Sequence, residues 1–368
     1  MLLTGFAATR PRFEITQERS LEWLALAHAE AEATRAGLLP HEKAAFALRM
    51  ARLIARCACA PDKIARRGHS VPDIELGGWD GNEVYDLRRN AHGAGTAART
   101  RVFAEVVDAY FEEAYRGEQA PDDLVHVTCT GYASPSGAQQ LVAARGWATR
   151  VTHAYHMGCY AAVPAVRIAA GLAATGSRRV DIAHTELCSL HLDPSDHRPE
   201  QLVVQSLFAD GLIRYSLVAG GGSGLELLTL HEQLVPDSAS AMRWLAADHG
   251  MQMTLARDVP ERIAAVLRAF VIELYRRAGL DVSRTRDSLF AVHPGGPRII
   301  DGVQRTLELT DAQVADSRAV LRDHGNMSSA TLPHVWMRLA GSAPSGALIA
   351  SLAFGPGLTV CGALFEKR

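Results

Sequence analysis

Residues 151–175 read VTHAYHMGCYAAVPAVRIAAGLAAT. Val151 to Tyr155 is a β-branched and aromatic run with the composition of a buried strand. Gly158 supplies a tight turn, and a helix of small residues is expected from about Cys159 to about Thr175. Cys159 thus falls where a strand hands over to a helix N-terminus. Free N–H groups there favour negative charge, so the spacing predicts a thiolate-prone, nucleophilic Cys159. The plainer reading is a small buried core residue, as most free cysteines are.

The same grammar extends on both sides. Upstream, helices are expected at 17–36, at about His41–Arg56 and over Ala98–Tyr115, with apolar residues at helical spacing. Residues 60–95, rich in Gly, Pro and Asp and containing Gly77-Gly78-Trp79-Asp80-Gly81, read as loop. A strand, Leu124–Cys129, leads through a loop to a helix, Ala138–Arg145. Downstream come a strand at Arg179–Thr185, a helix at Leu202–Phe208 and a strand at Ile213–Ala219. The run Gly220-Gly221-Gly222-Ser223-Gly224 lacks the Lys-Ser/Thr ending of a phosphate loop and reads as a hairpin or crossover. The second half offers a helix at Pro260–Ala278 and a buried strand, Leu289–Val292, delivering His293-Pro294-Gly295-Gly296-Pro297 to another helix. Helices at about Asp311–Asp323 and Ser328–Leu339 follow. A strand pair, Ala347–Ala353 and Thr359–Phe365, closes the chain. Repeated strand, reactive residue, helix and strand point to α/β layers with a duplicated core, divided as residues 1–220 and 221–368.

The 368 residues are 48% hydrophobic and 21% charged, with formal net charge −2. That balance gives no bulk electrostatic reason for binding nucleic acid or an anionic membrane. No apolar run is long enough to span a bilayer. The first twenty residues lack the basic and apolar regions of a signal peptide, so a cytoplasmic protein is expected. The cysteines, Cys57, Cys59, Cys129, Cys159, Cys188 and Cys361, show neither a disulfide ladder nor paired CxxC knuckles. No metal site is expected, His153 and His156 included.

Two further stretches resemble the Cys159 elbow. Gly295-Gly296 turns the chain beside His293, and His324-Gly325-Asn326-Met327-Ser328-Ser329 places Asn326 in a turn opening a helix. Singly, His293 reads as a structural histidine and Asn326 as an ordinary N-cap. Together, Cys, His and Asn make a chemical set: a thiolate to attack a carbonyl, an adjacent His to hold it as an ion pair, and His and Asn N–H groups to stabilise an oxyanion. The order fits a papain-like peptidase or a thioester-condensing enzyme. The peptidase reading lacks its Cys-Gly-Ser/Ala-Cys-Trp neighbourhood.

Five motifs carry a resemblance: Gly158-Cys159-Tyr160-Ala161, Leu207-Phe208-Ala209-Asp210-Gly211, His293-Pro294-Gly295-Gly296-Pro297, Gly325-Asn326-Met327-Ser328-Ser329 and Phe354-Gly355-Pro356-Gly357-Leu358-Thr359. In order and spacing they resemble the type III polyketide synthase (chalcone synthase-like) family. The resemblance implies a thiolase fold with a duplicated five-layer α/β/α/β/α core, a homodimer, and a Cys159–His293–Asn326 site between the halves. It implies acyl loading on Cys159, with His293 and Asn326 stabilising the enolate of a second thioester. No cofactor is implied beyond coenzyme A or acyl carrier protein thioesters. Phe208, Thr130, His191, Phe354 and Pro356 fall at substrate-tunnel positions, and Ser134 where a residue reaches into the partner's cavity. Met253 stands where the family has a second gatekeeper Phe. Arg66 and Arg67 are the basic residues offered for coenzyme A or a carrier; a solvated helix end is the plainer reading. The N-terminal stretch and the CTGYASPS loop resemble bacterial ketosynthases that fuse two carrier-bound β-ketoacyl chains into α-pyrone antibiotics of the myxopyronin and corallopyronin kind. That implies Claisen-type condensation and lactonisation; iterative malonyl extension is the alternative, and a cysteine hydrolase or a silent scaffold the remote ones.

Overall fold

The computed structural model describes residues 1–76 and 78–368; Gly77, read with its neighbours as loop, lies outside the described residues. Strands β1 (Leu2–Thr9) and β2 (Phe13–Thr16) precede helices α1 (Gln17–Ala36) and α2 (Pro40–Cys57). Next come β3 (Arg66–His69), α3 (Asp73–Leu76), α4 (Thr96–Ala114), β4 (Asp123–Thr128), α5 (Gly137–Arg145), β5 (Arg150–Tyr155) and α6 (Ala162–Ala174). The first half ends with β6 (Arg179–Leu187), α7 (Pro199–Leu207) and β7 (Asp210–Val218). The second half runs β8 (Leu225–Leu234), β9 (Met242–Ala247), β10 (Gly250–Leu255), α8 (Val259–Arg277), β11 (Leu289–Val292) and α9 (Pro297–Leu307). It finishes with α10 (Ala315–His324), α11 (Thr331–Ser342), β12 (Leu348–Gly355) and β13 (Thr359–Lys367).

Local chemistry sets the helix limits. The Thr16 hydroxyl accepts the Arg19 N–H at the start of α1, and Gly37 at φ 67° ends it in the left-handed region. Ser136 and Gln139 form a reciprocal capping box on α5.

Nine strands form one sheet in the order β11-β12-β13-β8-β1-β7-β6-β4-β5. The N-terminal strand joins the halves, with Leu2 opposite Val218 on one side and Glu226 on the other. The glycine run carries the chain from β7 across β1 to β8, so it is a crossover, not a phosphate loop. Its last glycine is required sterically: a Cβ on Gly224 would lie 2.3 Å from the Leu3 carbonyl oxygen.

Three apolar cores pack against the sheet. Small residues of α6 and the apolar face of α11 pack between β4, β6 and β7 on one side and β12 and β13 on the other. Outside the first half lie α1, α2, α4 and α5; outside the second lie α8, α9 and α10. Ala161, Ala162, Ala165 and Ala169 are essentially solvent-free, which is why the central helix is built from alanines: sheet surfaces close on it from both sides.

The structure corrects the reading of 60–95 as loop, since β3 and α3 lie within it. The β3 sequence, Arg-Arg-Gly-His, has no apolar alternation, and its pairing with β2 (Phe13 opposite His69) joins residues far apart in sequence. Among the described residues no helix is long and apolar enough to cross a membrane.

Candidate active site

Each reactive residue stands at the end of a regular element. After β5, His156 (φ 62°) and Gly158 (φ 79°) turn the chain, and Cys159 sits in the turn three residues before α6. The elbow locks against the loop after β12. A Cβ on Gly158 would lie 2.8 Å from Pro356 Cδ, and one on Gly355 only 2.2 Å from the Tyr160 ring. Phe354 is buried at the end of β12. The Pro356 stretch therefore braces the Cys159 turn.

Asn326 follows Gly325, whose φ of 74° ends α10. Its backbone pairs with the Phe208 stretch: Asn326 N–H donates to Leu207 O at 2.9 Å, and Ala209 N–H to Asn326 O at 2.9 Å. Its side chain is fixed at both ends. Oδ1 accepts the Ser328 N–H at 2.9 Å, and Nδ2 donates to the Gly295 carbonyl at 3.3 Å. Ser328 Oγ lies 3.7 Å from Cys159 Sγ. Met327 fills the space a side chain on Gly211 would need, at 2.5 Å. His293 leaves β11 with its N–H bonded to Leu352 O at 2.7 Å. It is 1% exposed, and among the described residues neither ring nitrogen has a hydrogen-bond partner. The five motifs are thus brought into mutual contact.

Burial dominates the electrostatics. It pushes the Cys159 thiol up to about 12, against the Ser328 and Asn326 hydrogen bonds, while the charge of Glu186 raises it further. The His293 imidazole is pushed down to about 3 by burial. The helix α6 begins three residues after Cys159, later than the sequence reading placed it, so the thiol does not stand at the helix N-terminus itself.

A cleft of about 580 Å³, its open mouth included, has Phe208, Met253, His191, Cys188 and Trp244 in its wall. His191 is committed on both nitrogens: Nε2 lies 2.7 Å from Thr130 O, and Nδ1 accepts the Met251 N–H at 3.0 Å. It is a neutral wall residue, pushed down to about 3 by burial. Gln201 holds the Met253 carbonyl at 2.6 Å. Trp244, which sequence reasoning missed, donates its indole N–H to Cys129 O at 2.6 Å and meets His191 edge-on at 5.8 Å. Nothing in the spacing marked it, since the β9–β10 hairpin that carries it gave no turn signal.

Three placements differ from expectation. The Thr130 hydroxyl is committed to Glu186 Oε2 (2.9 Å) and the Leu187 N–H (2.8 Å); the side chain meeting Ser328 is that of Cys129. Arg67 is 6% exposed and bonds Gln17, Ser20 and the carbonyls of Gln205 and Phe208. It holds the Phe208 stretch and is closed to a carrier phosphate. Arg66 is half exposed and paired with Glu14 at 3.0 Å. Both lie on a strand, not a helix end. Ser134 is exposed on the loop before α5. Glu186, a fully buried carboxylate beside Cys129, gave no sequence signal.

The "Chalcone and stilbene synthases" N-terminal domain family matches residues 96–220, and the C-terminal domain family residues 226–367. The chain belongs to this family, the type III polyketide synthases, which are built on the thiolase fold. The 1,3,6,8-tetrahydroxynaphthalene synthase of Streptomyces griseus is 32% identical over 76% of this chain and 73% of that protein. The type III polyketide synthase C of Arabidopsis thaliana is 30% identical over 66% of this chain and 67% of that protein. The probable polyketide synthase 1 of Dictyostelium discoideum is 32% identical over 66% of this chain, which spans 8% of its length. The solved type III polyketide synthase domain of Dictyostelium Steely1 superposes with a TM-score of 0.83 over 100% of this chain and 99% of that one, at 24% identity.

Proposed function

We propose that the chain is an iterative type III polyketide synthase. Cys159 takes an acyl group from a thioester. A malonyl thioester then loses carbon dioxide, and its enolate, held by His293 and Asn326, attacks the Cys159 thioester to form a carbon–carbon bond. The observation that carries this reading is the His293 ring. Two buried nitrogens without partners cost about 1–3 kcal/mol each, and a site built to receive a thioester carbonyl offsets that cost when filled. A neutral imidazole N–H and a fixed amide N–H are donors placed in advance for an oxyanion.

The named relatives support iterative extension over one-step fusion of two preformed chains. Fusion with lactonisation to an α-pyrone keeps one favouring observation: Met253, flexible and polarisable, stands in the cleft wall in place of a second aromatic gatekeeper. A homodimer is supported by β5, the last strand of the sheet, whose outer edge is unpaired. The test is intact mass and product analysis after incubation with acyl and β-ketoacyl thioesters of coenzyme A and acyl carrier protein. Loading followed by malonyl-dependent tri- or tetraketides supports extension. A pyrone formed from two preformed chains without malonyl overturns it in favour of fusion.

A further inference from the structure

Helix α7 ends beside Asn326, and its end is closed by side chains from the start of the protein. The carbonyls of Gln205, Ser206, Leu207 and Phe208 have no partner within the helix, as the last four of any helix do not. Each is met from elsewhere in the chain. Arg67 Nη1 donates to Gln205 O at 2.8 Å and to Phe208 O at 2.7 Å. Gln17 Nε2 donates to Ser206 O at 2.9 Å. The Asn326 N–H donates to Leu207 O at 2.9 Å, and the Ala209 N–H returns a bond to Asn326 O. The main chain of Asn326 is thus one rung of a four-rung cap, and two side chains supply the other three. Those two are joined, because Arg67 Nε donates to Gln17 Oε1 at 2.9 Å, and Ser20 accepts a further Arg67 N–H. Both are buried, Gln17 completely. The Arg67 stem also lies on the residue before Asn326. A Cβ on Gly325 would come to 3.0 Å from Arg67 Cγ and 3.0 Å from Leu207 O. A cation at a helix C-terminus meets the negative end of the helix dipole, which adds to the hold.

We propose that Arg67 and Gln17 are positioning residues for Asn326. By fixing the carbonyls at the end of α7 they set where the Asn326 amide stands in the site, and through it the rate of carbon–carbon bond formation. The inference rests on the reading of Asn326 as an oxyanion donor in the condensing step. The hydrogen bonds of both side chains go to other protein groups; Gln17 Nε2 also holds Cys59 O at 2.8 Å, which ties the end of α2 to the end of α7. The Cys159 turn is braced separately, by Pro356. Loading is therefore independent of the cap, and condensation is not. A group displaced by about 1 Å from its productive place costs up to about 10² in rate.

The test is the pair of rates, loading and condensation, in Gln17→Leu and Arg67→Lys, measured well below each unfolding midpoint with hexanoyl and malonyl thioesters of coenzyme A. Lys keeps the charge and loses the fork that spans two carbonyls. Both variants are expected to load Cys159 within about threefold of the wild-type rate and to condense about ten- to a hundredfold slower. Should Arg67→Lys fail to fold, Gln17→Leu decides. Leu141→Ala opens a cavity under α5, which packs on α4 away from the cap, and supplies a loss of stability without a loss of positioning. It is expected to keep both rates within about threefold of wild type. Wild-type condensation in the two cap variants, with Asn326→Ala slow, overturns the proposal. So does a loading rate that falls in step with condensation, or a Leu141→Ala chain that loses condensation as far as they do. Wild-type condensation in Asn326→Ala itself overturns the oxyanion reading, and the proposal with it.

Discussion

Replacing Asn326 with Ala separates the two halves of the proposed reaction. The amide performs two tasks through different atoms. Nδ2 donates to the Gly295 carbonyl, and Oδ1 accepts the Ser328 N–H at 2.9 Å. Losing one preorganised oxyanion donor costs about 10²–10³ in rate, roughly 2.7–4 kcal/mol. Orphaning the buried Ser328 N–H costs about 1–3 kcal/mol of stability. Loading needs the Cys159 thiol and a proton acceptor, neither of which Asn326 supplies. Asn326→Ala is therefore expected to load Cys159 within about threefold of the wild-type rate and to condense about 10²–10³ slower. Rapid-quench intact mass measures loading, and single-turnover product formation with a malonyl thioester measures condensation. Thermal unfolding of the same sample reads the Ser328 contribution. Asn326→Asp keeps the Oδ1 acceptor, so it is expected to recover most of the lost stability and none of the condensation. If Asn326→Ala blocks loading as completely as Cys159→Ala does, the division of roles is wrong.

Gly158→Ala forces a side chain into φ 79° and to 2.8 Å from Pro356; with strain of about 1–3 kcal/mol, loading is expected to fall at least tenfold, read by intact mass. Arg67→Met removes a cation that holds four side-chain and backbone oxygens, and is expected to lower stability by several kcal/mol, about 1.5–3 per bond to a charged group before relaxation. Arg66→Ala, losing one exposed ion pair, is expected to change stability by less than about 1 kcal/mol; urea unfolding of both compares them. His126, His184 and His334 are buried and pushed down to about 3. Between pH 3 and 6.5 the unfolded chain binds the protons these rings refuse, so stability rises with pH and is lost on acidification. From pH 7 to 5 the loss is about 2 kcal/mol per ring. A urea midpoint that stays level from pH 7 to 5 would refute the neutral assignment. Trp244→Ala removes the bond to Cys129 O and a wall of the cleft, and is expected to shift the preferred acyl length upward, read by competition between short and long acyl thioesters.

Helices and buried strands with their own period were legible. Residues 17–36 form α1 as expected, and Leu289–Val292 form β11. Elements that exist only through pairing were not. The four residues of β3 carry two arginines and a glycine, and β8 reads LELLTLHEQL, whose composition favours a helix; it is a strand because β13 and β1 lie on its two sides. The same division runs through the site. Cys159, His293 and Asn326 showed themselves because each follows an element end and sits beside a glycine, so local sequence carries both the chemistry and the turn. Arg67 failed the reverse test. Its charge pointed to solvent and phosphate, whereas backbone carbonyls of Gln205 and Phe208 accept its donors inside the protein.

The walls resisted reading because their function depends on what a side chain meets, not on what it is. Cys129, Glu186 and Ser328 are separated in sequence by more than fifty residues at each step, and each has an ordinary structural use. Folding places them around one sulfur because β4 and β6 are adjacent parallel strands, so Cys129, just past the end of β4, meets Glu186 near the end of β6. The turn after Asn326 then lowers Ser328 onto Cys129 from the other half. Adjacent strand ends are where an α/β sheet gathers its loops. A thiol at that position has a carboxylate, Glu186, on one side and a hydroxyl, Ser328, on the other.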